Sequence, residues 1–228
     1  MKRIFIIVIS CIVLSSCTTN TETSQQQEEQ TESQQPEMEQ QVVEINQQKF
    51  DVNELPLLDY KGTIVDGKRW IDANGENIIL LSHEELIETE NEESMEQLYA
   101  YQYIKKGDKF ELTWKIYDFM QAESWMDIYA KFIPQTLAIS DIDGNGIAET
   151  MFMYGLFAGT DVSPATVKLM MHEEDKKYAL RGLQVIDIGG DELIGGDYEI
   201  DKAFKNAPDS FLDLAKKHWD DNIRVSLW

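Results

Sequence analysis

The residues best suited to chemistry in this sequence form one nine-residue stretch, Asp141–Glu149. Side chains that carry oxygen occupy its first, third and fifth positions, which are Asp141, Asp143 and Asn145. Ca²⁺ prefers about six to eight oxygen ligands, and alternate side chains of a tight loop can converge on one such ion. Gly146 permits the sharp turn that this requires, and Ile147 can offer its backbone carbonyl. The pattern therefore predicts a cation site, with Ca²⁺ as a structural cofactor.

The spacing differs from that of an EF-hand, which needs a bidentate glutamate at its twelfth position, where this sequence has Phe152. The stretch resembles instead the nine-residue calcium loops found in β-hairpins of integrin-type propeller repeats, in which a carboxylate at the ninth position completes the site. That resemblance implies a ligand set of Asp141, Asp143, Asn145, Ile147 through its carbonyl oxygen, and Glu149. The alternative is an empty hairpin loop, because Asp, Asn and Gly are also the common turn-forming residues.

Other polar clusters have a weaker claim to chemistry. The segment Asp72–Glu76 lacks the later carboxylate and is interpreted as a turn. Two His-Glu-Glu segments, at 83–85 and 172–174, have no second histidine at zinc-protease spacing and are expected to be solvated strand ends. The sequence has no Gly-x-Ser-x-Gly elbow, and its many carboxylates do not single out a glycosidase pair. We therefore expect a protein that is not an enzyme, with an acidic hydrolase as an alternative.

Stretches that alternate with period two predict β-hairpins around this loop. The predicted pairs join 62–65 to 76–81, 99–103 to 110–116, 136–140 to 147–154, and 166–171 to 177–183. In the second pair, one apolar stripe is expected to contain Phe110, Leu112, Trp114 and Ile116. The aromatic stripes are expected mostly in the core, with Trp70 or Trp125 as alternatives for a sugar-binding face. The cation loop would then connect two strands.

Helices are fewer. The segment Ser210–Trp219 has an apolar stripe at helical spacing, with His218 at its boundary. Ser124–Phe132 and His83–Ser94 are weaker helix candidates, and Gly189–Gly196 is expected to be a loop. The predicted fold class is α+β, mainly β: an antiparallel hairpin meander of about eight strands with a C-terminal helix.

The first seventeen residues are typical of a lipoprotein signal peptide. Lys2 and Arg3 precede an apolar run at 4–14, which as a helix is about 16 Å long and too short for a bilayer core of about 30 Å. The run ends in Leu-Ser-Ser-Cys, which resembles a bacterial lipobox and implies lipidation, palmitate included, at Cys17. Residue 18 is Thr rather than Asp, which by a common sorting rule favours the outer membrane of the cell envelope.

Residues 18–48 differ sharply in composition from the rest of the chain. Ten of these 31 positions are Gln and seven are Glu, with no aromatic residue and no Lys or Arg. Such a segment buries too little apolar surface to offset chain entropy, so it is expected to be a disordered tether. The predicted organisation is a signal peptide at 1–17, the tether at 18–48 and one globular domain at 49–228.

The net charge of −22, from 20 basic and 42 acidic residues, excludes a protein built to bind nucleic acid through its phosphates. Both cysteines, Cys11 and Cys17, lie in the first seventeen residues, so the predicted domain has no disulfide and no cysteine-ligated zinc. The acidic surplus is consistent with a solvated surface or with cation binding.

A set of local strings resembles a poorly characterised family of secreted or lipid-anchored Bacteroidota proteins, described as surface polysaccharide biosynthesis proteins. The strings lie at 98–101, 139–149, 161–164, 168–173 and 177–182, with the strand of Trp114 between them. The resemblance covers roughly residues 65–185 and implies a link to surface polysaccharide, without catalytic residues to transfer.

Two functions follow as expectations. The first is a non-enzymatic, lipid-anchored envelope lipoprotein that supports the biosynthesis or display of surface polysaccharide, with the membrane and polysaccharide or envelope proteins as partners. The alternative is a calcium-dependent surface module that binds a glycan or a protein.

Overall fold

The structure, a computed structural model, describes residues 45–88, 92–189 and 192–224. The predicted signal peptide, Cys17 and most of the predicted tether lie outside these ranges, so their assignments stay predictions. Among the described residues, no helix is long and apolar enough to cross a membrane. The fold is mainly β, with antiparallel sheets and one C-terminal α-helix, as the sequence predicted.

The first sheet contains five antiparallel strands in the order in which they occur along the chain. They are β1 (Asn46–Gln48), β2 (Thr63–Asp72), β3 (Gly75–Glu88), β4 (Glu93–Lys106) and β5 (Lys109–Glu123). Strand β1 lies in the last part of the predicted tether, so the described fold starts before residue 49. Its three polar side chains are exposed, and it joins the sheet edge through backbone pairing, which needs no apolar side chain.

A β-bulge in β5 corrects one predicted feature of this sheet. The sequence predicted that Leu112 and Trp114 share a face. In the structure Gln102 pairs with Trp114 and the next residue, Tyr103, pairs with Leu112, which leaves Thr113 as an extra residue. An extra residue reverses the alternation of side chains. Leu112 therefore shares the face of Tyr103, and Trp114 lies in the core on the opposite face.

The remaining elements follow in chain order. They are β6 (Asp127–Phe132), β7 (Ala138–Ser140), β8 (Glu149–Gly159), β9 (Thr166–Glu173), β10 (Lys176–Leu183), β11 (Ile186–Asp187), β12 (Leu193–Ile194), β13 (Tyr198–Ile200) and α1 (Asp209–Asn222). The second sheet has the order β13-β10-β9-β8-β6, with β7 also paired to β8, and β11 pairs with β12 in a separate two-stranded sheet. Short 3-10 helices occupy Val52–Glu54 and Lys202–Asn206.

Two predicted helices are strands. The segment Ser124–Phe132 contains β6, whose six residues pair with β8. The segment His83–Ser94 contains the end of β3 and the start of β4, which pair with each other. In both segments, backbone pairing with a neighbouring strand outweighs a weak helical pattern. The glycine-rich segment Gly189–Gly196 likewise includes β12, which was expected to be loop.

The two large sheets pack face to face. Trp70, Leu98 and Trp114 of the first sheet share a buried cluster with Phe152 and Met170 of the second. The opposite face of the second sheet is covered by α1, whose apolar stripe was predicted correctly. Because both faces of this sheet are buried, most of β8 has a continuous apolar sequence rather than a strict alternation.

Candidate cation site

The predicted cation loop connects β7 to β8, so its strand flanks are confirmed. Ser140 and Glu149 are paired across the base of the loop. Gly144 and Gly146 have φ angles of 73° and 83°, in the left-handed region that favours glycine. The carbonyl of Gly146 accepts a hydrogen bond of 2.8 Å from the amide of Ala73 in the β2–β3 turn, which fixes the loop against that turn.

Three of the five predicted ligands come together in the structure. One ligand oxygen from each of Asp141, Asp143 and Glu149 lies within 4.8 Å of the others. Asp141 is fully buried and Glu149 is 1% exposed, whereas Asp143 is exposed. A buried cluster of three carboxylates can hold a metal ion, and its exposed member gives the ion a route to solvent.

One oxygen of each buried carboxylate has a partner and the other does not. Asp141 Oδ2 accepts from the amide of Gly146 at 2.9 Å, and Glu149 Oε2 accepts from the amide of Ile142 at 2.9 Å and from Ser140 Oγ at 3.1 Å. Asp141 Oδ1 and Glu149 Oε1 are buried without a hydrogen-bond partner among the described residues. An unsatisfied buried polar group costs roughly 1–3 kcal/mol, and more if it is charged. A bound cation would remove that cost at both oxygens.

The register of the second sheet adds a fourth carboxylate. Glu149 on β8 is directly opposite Glu173 on β9, and Glu173 is only 5% exposed. Like charges directly opposite each other destabilise a sheet. Glu173 is partly neutralised by Lys176 at 3.1 Å, and its other oxygen accepts from Asn145 Nδ2 at 2.7 Å. Glu149 forms no salt bridge with a described residue.

The sequence analysis missed Glu173, which it placed at a solvated strand end with His172. Both residues are buried. The predicted hairpin of 166–171 with 177–183 could not have found Glu173, because that residue lies opposite Glu149 through the separate pairing of β9 with β8.

Burial has the expected effect on the acidity of the cluster. It raises the pKa of Glu149 to about 7, against hydrogen bonds from Ile142 and Ser140 that act in the opposite direction. It also raises the pKa of Asp143, with Glu173 and Asp141 adding repulsion. A bound cation would favour the charged forms and lower both pKa values.

The remaining two predicted ligands make contacts within the loop. Asn145 Oδ1 accepts from the amide of Ile147 at 2.7 Å, and Asn145 Nδ2 donates to Asp143 Oδ2 at 3.2 Å. Asn145 therefore lies beside the cluster with its amide engaged, and its role as a ligand stays a prediction. The same holds for the carbonyl oxygen of Ile147, whose described contact here is through its amide.

The segment Asp72–Glu76 forms the β2–β3 turn, as predicted. Asp72 accepts from the amide of Asn74 at 2.9 Å and from Trp70 Nε1 at 2.9 Å. Asp72 Oδ2 also accepts from the amide of Ala148 at 3.3 Å, so this turn supports the cation loop. Trp70 is fully buried and is not part of a surface for sugars, whereas Trp125 is exposed.

Comparison with models of known protein families, with curated proteins and with solved structures finds no match for this chain. The geometry of the molecule itself therefore carries the functional argument.

Proposed function

We propose that this chain is a lipid-anchored envelope protein whose β-sandwich is a binding domain, stabilised by one structural Ca²⁺ in the Asp141–Glu149 loop. The observation that carries the ion is the pair of buried, unpartnered oxygens, Asp141 Oδ1 and Glu149 Oε1. They lie in a cluster that the chain does not neutralise by itself, because Lys176 is the one described cation that pairs with its carboxylates, and it pairs with Glu173.

The donor set favours calcium over other common metals. Every candidate ligand is an oxygen, which suits hard cations, whereas zinc sites are typically built from cysteine and histidine. Ca²⁺ accepts irregular coordination with more ligands than Mg²⁺, which demands near-octahedral geometry and keeps several waters. A loop with two left-handed glycines between strands offers carbonyl and carboxylate oxygens in an irregular arrangement.

Thermal unfolding of the full chain, purified in detergent, tests the ion. We expect the melting temperature to be higher in Ca²⁺ than in EDTA, with a free-energy gain of about 2.7 kcal/mol when free Ca²⁺ is 100 times its Kd. Mg²⁺ at the same concentration should give a smaller gain. Glu149→Gln should abolish the gain and Asp108→Asn, in the exposed β4–β5 turn, should keep it.

Identical melting curves in Ca²⁺ and EDTA for the wild-type chain would contradict the calcium proposal and favour an empty turn. A gain that persists in Glu149→Gln would mean that calcium acts elsewhere on the acidic surface.

The anchor and the polysaccharide role are a second part of the proposal. The lipobox at Cys17 and the resemblance to the surface polysaccharide family support an outer-membrane lipoprotein that assists the assembly or display of polysaccharide. Several acyl chains on one residue give stable anchoring, where a single chain gives only marginal membrane binding.

A deletion in the source bacterium tests this part, complemented with the wild-type chain and with Cys17→Ala. We expect the deletion to shorten or remove the surface polysaccharide on a gel, and the wild-type chain alone to restore it. An unchanged polysaccharide profile would remove the polysaccharide role and leave the calcium-dependent binding domain for another ligand.

A further inference from the structure

A cleft of about 450 Å³ opens where the first sheet ends at its edge strand β5 and the inner face of the second sheet continues. Trp114 and Asp118 of β5 form one side, and β9 and β10 form the floor. The even-numbered residues of β9 and their partners on β10 line this face, which is opposite to that of Glu149 and Glu173. The cleft is therefore separate from the cation cluster.

The floor of the cleft is positively charged in a strongly acidic protein. Its cations are Lys168, Lys177 and Arg181, and its carboxylates are Asp118 and Asp175. A fourth basic residue of the lining, Lys115, has its ammonium over the rings of Tyr99 and Tyr101 on the other face of the sheet. A chain with 42 acidic and 20 basic residues thus concentrates unlike charge in one concave place, which attracts an anionic group.

The sheet register brings two of these cations close together, whereas Lys177 lies opposite His172, four residues from Arg181 along β10. Lys168 on β9 is directly opposite Arg181 on β10, although like charges in that position repel. Each has a carboxylate of its own: Lys168 pairs with Asp118 at 2.5 Å and Arg181 with Asp201 at 3.0 Å. Lys177 is exposed and forms no hydrogen bond or salt bridge with any residue in the described ranges. Its ammonium is available to an incoming anion.

The cleft also offers a carboxylate that suits a hydroxyl. Asp118 accepts hydrogen bonds from Tyr154 Oη at 2.8 Å and from Lys168, and such a carboxylate can accept further from a sugar hydroxyl. A ligand that is purely anionic, such as phosphate, would meet repulsion from Asp118 and Asp175.

We propose that this cleft binds a carboxylate-bearing oligosaccharide, with Lys177 and Arg181, about 13 Å apart along β10, each binding a carboxylate and Asp118 accepting from a hydroxyl. This ligand class deepens the proposed binding function, on which it rests, but it uses residues distinct from the calcium cluster.

Calorimetric titration of the full chain in detergent, at fixed Ca²⁺, tests the proposal. The matched probes are a β-1,4-linked glucuronic acid tetramer and cellotetraose, which differ only in the oxidation of the C6 groups. We expect the acidic tetramer to bind and the neutral one to bind at least tenfold more weakly, as expected for the loss of a charge-assisted hydrogen bond. Lys177→Gln and Arg181→Gln should each weaken binding of the acidic tetramer about tenfold, and Lys109→Gln, at the exposed start of β5, should not.

Equal binding of the two tetramers, no binding of either, or tighter binding of tetraglutamate or inorganic phosphate would each overturn the proposal. Melting curves in Ca²⁺ and EDTA separate this result from the calcium proposal. If the chain is stabilised by Ca²⁺ but binds no saccharide, the calcium proposal stands and the saccharide proposal is wrong. If the chain binds the acidic tetramer but is not stabilised by Ca²⁺, the saccharide proposal stands and the calcium proposal is wrong.

Discussion

Strand β9 places like charges opposite each other in two regions, which differ in the counter-charges that the chain supplies. At its end, Glu173 is opposite Glu149, both are buried, and Glu149 Oε1 has no partner among the described residues. Nearer its start, Lys168 is opposite Arg181, and each cation is partly exposed and paired with a carboxylate of the chain. Glu173 pairs with Lys176, but Glu149 lacks the counter-charge that each cation of the basic region has among the described residues.

This difference separates two kinds of charged site. A buried charge without a counter-charge carries a large desolvation cost in the folded state, so an ion that binds there contributes to the stability of the fold. A partly exposed cation that is already paired with a carboxylate is stable without a ligand. The comparison predicts that Ca²⁺ raises the free energy of unfolding strongly. It also predicts that removal of a cleft cation weakens saccharide binding but hardly changes the free energy of unfolding.

The largest expected effect concerns the packing on the cleft face. Trp114 is 9% exposed and stacks on His172 with ring centroids 4.0 Å apart. Trp114→Ala should lower the free energy of unfolding by about 3–5 kcal/mol, because it leaves a large cavity between the sheets. Urea unfolding in Ca²⁺ and in EDTA measures it. Since the acidic cluster lies on the other face of the second sheet, Ca²⁺ should stabilise Trp114→Ala as much as it stabilises the wild-type chain. A lost calcium effect would show that the two regions are coupled.

The pH dependence of unfolding is the next largest effect, and it tests the acidic region directly. In EDTA the pKa of Glu149 is raised to about 7 in the folded state, so the folded protein holds a proton that the unfolded chain loses near pH 4.5. Stability from this group is therefore lost as pH rises from about 4.5 to 7, by at most about 3 kcal/mol. Glu149→Gln should not show this loss of stability, because a glutamine side chain does not titrate.

Without Ca²⁺, Glu149→Gln should be more stable than the wild-type chain at pH 8 and lose that advantage near pH 4.5. With Ca²⁺ at pH 8, the wild-type chain should be the more stable one. Burial lowers the pKa of His172 to about 3, so the contribution of this residue to the free energy of unfolding is lost as pH falls below about 6.5. Both chains contain His172, so the difference between them cancels this contribution. If the difference in free energy of unfolding between the two chains did not change with pH, the pKa of Glu149 would not be raised by burial.

The sequence predicted the fold better where alternation was uninterrupted. Three predicted hairpins form as predicted, because each joins an alternating or apolar segment to its neighbour through a recognisable turn. The fourth, between β2 and β3, also forms, but residues 76–81 pair with 66–71 rather than with 62–65. The bulge at Thr113 could not be predicted, since one extra residue leaves the local pattern of apolar residues intact and changes only which face they occupy. The same limit hid the division into two sheets, which depends on contacts far apart in the chain.

The cation loop shows the same limit on a smaller scale. The spacing of Asp141, Asp143 and Glu149 predicted a cluster that the structure brings together. Glu173 was missed because it belongs to the next strand, and its proximity depends on sheet register rather than on spacing along the sequence. The cleft was not predicted either, because its cations come from two strands and its walls from both sheets.

A substitution of moderate effect tests the geometry of the loop. Gly146→Ala should cost about 1–2 kcal/mol, because its φ of 83° is unfavourable for a residue with a Cβ atom. Gly107→Ala is the matched control, with a φ of 61° and open space around the position of a Cβ atom. Both should lower the melting temperature in EDTA, but only Gly146→Ala should also weaken the gain from Ca²⁺. An equal calcium gain in both variants would show that the loop does not need this turn to bind the ion.

The smallest expected effect is the one that most sharply separates the two regions. Lys177→Gln removes an exposed ammonium that has no partner in the described part of the chain, so its free energy of unfolding should change by less than about 0.5 kcal/mol. Arg181→Gln should cost somewhat more, because it leaves Asp201 without its partner at 3.0 Å. Neither variant should alter the calcium gain, which contrasts with Glu149→Gln. If Lys177→Gln changed the free energy of unfolding as strongly as Glu149→Gln does, the cleft cations would contribute to the stability of the fold. The distinction between a structural ion and an exchangeable ligand would then be wrong.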